Sequence, residues 1–114
     1  MQLPNRDKAY IPPQKLTDYL LSETHSVGGA KARFFRSLGF NETTVEQLKQ
    51  ALLKIAFTGQ VKEREISPYG VKYVVDGILE TPRGDTVFIR TIWIVETGYE
   101  NPRFVTAYPI RGGK

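Results

Sequence analysis

The sequence predicts an α+β fold, with about three N-terminal helices packed on a four-stranded antiparallel sheet. Two observations predict it. Apolar residues recur at helical spacing up to about residue 57 and at strand spacing after residue 59. The strand-like runs are also joined by short segments carrying Gly, Pro, Asn and Asp, which suit hairpin connections rather than helical crossovers. A chain of 114 residues with 40% hydrophobic content is expected to form one domain over 1–114.

Residues 1–12 read as an irregular lead-in, because Pro4, Pro12 and Pro13 resist helix. Pro13 suits the first turn of a helix over about 13–21, with Leu16, Tyr19 and Leu20 on one face. A polar loop, SETHSVGG, follows and holds His25, the single histidine. The next helix spans about 29–38, buries some of Ala32, Phe34, Phe35 and Leu38, and is stopped by Gly39. Thr43 or Thr44 with Glu46 or Gln47 three residues on predicts a capping box for a third helix ending near Phe57. Val45, Leu48, Leu52 and Ile55 form its apolar face. The strands are expected at 60–66, 71–79, 86–96 and 103–110, with Gly77 as a possible bulge and 111–114 as a tail. Residues 86–96 are β-branched or apolar almost throughout, as expected of a central strand.

Composition narrows the chemistry. The chain has no cysteine, which excludes disulfides, Cys-ligated zinc, iron–sulfur clusters and thiol catalysis. One histidine excludes a His-rich metal site, and the acidic residues show no D-x-D or E-x-x-H spacing. No cofactor is expected. No G-x-S-x-G elbow is present, and the third helix lacks the basic face of a DNA-reading helix. The formal net charge is +4, spread without a like-charged block, which is compatible with a polyanionic partner. No apolar run is long enough for a membrane helix and MQLPNRDKAY lacks an apolar leader core, so a cytoplasmic location without membrane contact is expected.

Four places carry candidate chemistry. His25 lies just before a helix, where amide groups, Gly28, Gly29 and Lys31 could hold a phosphate while the imidazole moves a proton; an exposed turn histidine is the plainer reading. Arg90, within an apolar strand, needs either an anionic ligand or a carboxylate partner, for which Asp76 and Glu80 are candidates. Alternation places Arg90 with Phe88, Ile92 and Ile94 on one face, and Trp93 on the other as core. In the last strand Thr106 and Tyr108 share a face, read with Phe104 and Ile110, and could complete a polar cluster beside Arg90 or serve simply as good strand formers.

The segments KLTDYLLSETHSVGGAKARFF and RTIWIVETG with PRFVTAYP resemble a family of small uncharacterised bacterial domains, largely cyanobacterial, that occur as toxin modules. Helices carrying a His, followed by four strands ending in TAYP, are similar in layout to the barnase–EndoU–colicin–RelE superfamily of metal-independent ribonucleases. That resemblance implies a RelE/barnase-like fold and an endoribonuclease toxin that cuts RNA through 2′-OH attack, leaving a cyclic phosphate. It implies His25 as general acid or base, Lys31 on the scissile phosphate, Arg90 on the phosphorane charge, and Thr106 and Tyr108 completing the site. A second proton role would fall to Tyr108, Lys31, Glu23 or no residue. Implied partners are RNA and a small cognate antitoxin or immunity protein. Two other readings remain open: a non-catalytic antitoxin- or immunity-type binding module, and an RNA-binding sheet displaying Tyr69, Tyr73 and Tyr99 on one face.

Overall fold

The computed structural model describes residues 1–22 and 29–110. A 3-10 turn (Arg6–Lys8) and a single π-wound turn (Leu16–Leu20) precede α1 (Gly29–Ser37) and α2 (Val45–Thr58). The strands β1 (Gln60–Ser67), β2 (Gly70–Glu80), β3 (Thr86–Glu96) and β4 (Arg103–Pro109) form an antiparallel meander in the order β1-β2-β3-β4. The architecture is therefore α+β, and β3 is an inner strand as its composition predicts. Among the described residues no helix is long and apolar enough to cross a membrane.

The helices cover one face of the sheet. Tyr73, Val75 and Leu79 on β2, Ile89, Thr91 and Trp93 on β3, and Phe104 and Ala107 on β4 are buried there with Leu48, Leu52 and Ile55 of α2. Trp93 and Phe104 meet edge to face, with centroids 5.3 Å apart. The polar atoms at this depth are paired: the Trp93 indole N–H donates to Thr91 Oγ1 at 2.8 Å, and that hydroxyl donates to the Val75 carbonyl at 2.7 Å. Alternation sends Asp76 and Ile78 of β2, Phe88, Arg90 and Ile92 of β3, and Tyr108 of β4 to the opposite face.

The lead-in is anchored at both sheet edges. The Val61 N–H donates to the Met1 carbonyl at 2.7 Å, while Tyr10 pairs in parallel with β4 through Tyr10 N–H to Pro102 O and Phe104 N–H to Tyr10 O, both 3.0 Å. Between them Leu3 and Ile11 enter the core. Segments that cover edge strands in this way block further strand addition there.

The helix read over 13–21 forms, π-wound over Leu16–Leu20, where the Leu21 N–H reaches the Leu16 carbonyl five residues back at 2.8 Å. Two local expectations are corrected. The capping box does not form. Thr44 is the cap residue of α2, but its hydroxyl accepts from the Asn41 N–H at 2.8 Å, so it serves the preceding turn instead of the helix. Gly77 is no bulge; β2 pairs with β3 in unbroken register past it. A glycine is needed because α2 crosses there, and a Cβ would lie 2.9 Å from Ile55 Cγ2. Gly39 does end α1 as expected, with φ +104° and the Phe40 N–H bonded to the Phe35 carbonyl at 3.2 Å.

Gly77→Ala is expected to destabilise the chain by about 1–3 kcal/mol through this overlap. Urea unfolding checks it, and in an Ile55→Ala background the same substitution should cost close to nothing.

Candidate functional site

The face turned away from the helices carries a polar row in an apolar setting. Asp76, Arg90 and Tyr108 are direct cross-strand neighbours on β2, β3 and β4, and Thr106 stands beside Ile92 one step along. Arg90 donates through Nε to Asp76 Oδ1 at 2.8 Å and through Nη2 to Oδ2 at 2.9 Å. The Asp76 side chain is 5% exposed and that of Arg90 33%, so the pair is sealed on the carboxylate side and open on the guanidinium side. Of the two partners that sequence left open, Asp76 takes the arginine, while Glu80 receives Lys54 at 3.2 Å. Asp76's hydrogen bonds above all, with a smaller part from Tyr108, raise the Arg90 pKa above its ordinary value against the opposing effect of burial. The charge is permanent. Two donors are committed to Asp76, and a guanidinium has five, so the fork retains capacity for a second anion.

Thr106 links this row to the helical layer. Its Oγ1 shares a hydrogen bond with the Tyr19 hydroxyl at 3.0 Å. Lys15 Nζ lies 4.8 Å from the centroid of the Tyr19 ring, and Lys31 Nζ, from the first turn of α1, lies 6.0 Å from it. The structure thus brings Arg90, Thr106 and Tyr108 onto one face and connects Lys31 to them through Tyr19. Gly29 is buried at the start of α1. His25, Gly28 and Glu23 lie outside the described residues.

Sequence reasoning missed Tyr19 and Lys15 as members of this cluster. The one available signal was a hydroxyl-bearing side chain between Leu16 and Leu20 on an apolar face, and nothing local shows that the hydroxyl reaches β4. Phe104 is a correction of the opposite kind. The β3–β4 register shifts between Ile92 and Trp93, so Phe104 pairs with Trp93 while Thr106 pairs with Ile92. That extra residue turns Phe104 into the helix-side core, away from Thr106 and Tyr108. The aromatic platform is corrected too: Tyr73 is 7% exposed and belongs to the core, whereas Tyr69 and Tyr99 project from turns at 79% and 71%. Among the described residues no group of three or more His, Cys, Asp or Glu is placed to hold a metal ion.

The family model of a domain of unknown function, DUF6883, matches residues 2–111. The chain belongs to this family. No curated relative matches the DUF6883 chain. Among solved structures it is similar to a chain of a contact-dependent growth inhibition toxin–immunity protein complex from Klebsiella pneumoniae 342. The TM-score is 0.72 at 16% identity, with 94% of this chain and 97% of that one covered. At that identity the likeness is one of fold. The α+β arrangement of this DUF6883 domain is therefore shared with a component of a toxin–immunity complex.

Asp76→Asn is expected to cost about 1–3 kcal/mol of stability, because it weakens a charged, bidentate pair whose arginine can still reach solvent. Thr106→Val should cost less, about 0.5–1.5 kcal/mol for one part-buried hydrogen bond. Paired urea titrations measure both.

Proposed function

We propose that this DUF6883 domain is a toxin module that cuts RNA without a metal ion, within the barnase–EndoU–colicin–RelE type of ribonuclease. One observation carries the reading: Arg90, Tyr108 and Thr106 share one sheet face, with Tyr19, Lys15 and Lys31 continuing from Thr106. The fold shared with a chain of a toxin–immunity complex supports it.

In this reading a 2′-OH of the RNA attacks the adjacent phosphorus, forming the P–O2′ bond as the P–O5′ bond breaks. The 2′ proton passes to a base and the leaving 5′ oxygen gains a proton. His25 fits one of these roles, since its ordinary pKa lies near neutrality. Arg90 stabilises charge on the non-bridging oxygens, already aligned by Asp76, so little reorganisation is needed as charge develops. Thr106 and Tyr108 orient the phosphate by hydrogen bonding. The nucleophile belongs to the substrate, so the protein has only to position groups, move protons and hold charge.

A second reading draws on the apolar part of the same face. Ile78 is 60% exposed and stands opposite Phe88 on the neighbouring strand. That surface suits a cognate partner protein, whether an inhibitor of the toxin or the target of a non-catalytic immunity-type module.

The full chain, incubated with transfer RNA and total RNA in EDTA, should cleave. Each checked for folding by circular dichroism, His25→Ala should lower the rate about 10²-fold or more, and Tyr108→Phe and Thr106→Val, which remove orienting hydrogen bonds, should lower it by a smaller factor. A folded wild type that leaves every RNA intact across pH 5–9 would overturn the ribonuclease reading in favour of partner binding.

A further inference from the structure

Lys15 and Lys31 come from different helical segments, yet their ammonium groups gather within 6.0 Å of one ring centroid. Neither forms an ion pair with a carboxylate among the described residues. Two cations without a carboxylate partner thus stand near one ring, which offsets their charge only in part. An anion bound beside that ring would neutralise them. The ring that gathers them, Tyr19, is fixed by its hydroxyl to Thr106 Oγ1 at 3.0 Å. Thr106 and Tyr108 stand two residues apart on β4, a separation of about 6–7 Å along a strand. This is of the order of the spacing between successive phosphates in an extended RNA chain.

We propose that Lys15, Lys31 and Tyr19 form a second phosphate subsite, which takes a backbone phosphate flanking the one acted on at Arg90 and Tyr108. The subsite rests on the ribonuclease reading for its substrate, RNA, but not for its geometry. Tyr19 is then the positioning residue, bonded to Thr106 and in contact with both lysines. The ligand is a sugar–phosphate backbone, so the contact carries no base preference.

The test uses the full chain and a short fluorescent 2′-O-methyl oligoribonucleotide, which lacks the attacking hydroxyl and so reports binding separately from cleavage. Fluorescence anisotropy between 50 and 200 mM salt gives affinity and its salt slope. Lys15→Gln is expected to weaken binding several-fold and to reduce the slope by about 0.7, the value for one phosphate contact on a single strand. Lys15→Arg should restore both. Tyr19→Leu should lose as much slope as Lys15→Gln with Lys31→Gln combined, an effect that a merely structural role of the ring would not produce. Lys54→Gln, at an exposed α2 lysine bonded to Glu80 and not in contact with the Tyr19 ring, should match wild type.

Salt slopes unchanged by Lys15→Gln and Tyr19→Leu in folded protein would overturn the subsite, even if RNA is cleaved. A slope lost in these variants when no RNA is cleaved would support the subsite and overturn the ribonuclease reading alone. No measurable binding by wild type would overturn the subsite.

Discussion

A charged pair laid across the two inner strands of the sheet is the constraint on which this structure turns. Arg90 is the one charge of β3 before its terminal Glu96, and an unpaired guanidinium there would be strongly disfavoured. Asp76, in register on β2, accepts two of its hydrogen bonds and is itself almost wholly enclosed. The pair fixes the guanidinium in the plane of its neighbours, so that Tyr108 and then Thr106 become the groups beside it. A polar row three strands wide follows from the β2–β3 and β3–β4 registers together. A slip of a single residue between β2 and β3 would put Asp76 and Arg90 on opposite faces, leaving both charges unpaired.

The described helices cover the other face of the sheet. α2 lies close enough over β2 to require glycine at position 77, and Trp93 and Phe104 complete a core in which the Trp93 indole and the Thr91 hydroxyl are both paired. Among the described residues the lead-in anchors both edges of the sheet. The π-wound turn at Leu16–Leu20 then delivers Tyr19 around the β4 edge to Thr106. The helices therefore contribute to the candidate site through one side chain and two lysines gathered on it.

The fold was legible because the two periodicities change sharply near Gly59 and the turns are short. β3 could be placed from its β-branched run, and Arg90 stood out because it was the exception within it. What could not be read depends on contacts between distant residues. The bulge that reverses Phe104 relative to Thr106 leaves no local mark in RFVTAYP, whose alternation looks regular. The choice of Asp76 over Glu80 depends on a register that only the folded sheet fixes. Thr44 has the composition of a helix cap, but its hydroxyl is taken by the preceding turn. Tyr19 reads as one more apolar-face residue until β4 is brought beside it. Arg90, Thr106 and Tyr108 could be chosen from the strands alone, whereas the lysine and tyrosine cluster required tertiary structure.

The chemistry assigned to this face has a signature in its products. If the nucleophile is the substrate's own 2′-OH, cleavage in chelator must leave 2′,3′-cyclic phosphate and 5′-hydroxyl ends. End-specific labelling and mass spectrometry of RNA fragments produced by the full chain read this directly. The account predicts cyclic phosphate ends from wild-type protein and none from the folded His25→Ala variant. Fragments carrying 5′-phosphate and 3′-hydroxyl ends would contradict it, because water rather than the 2′-OH would then be the attacking group.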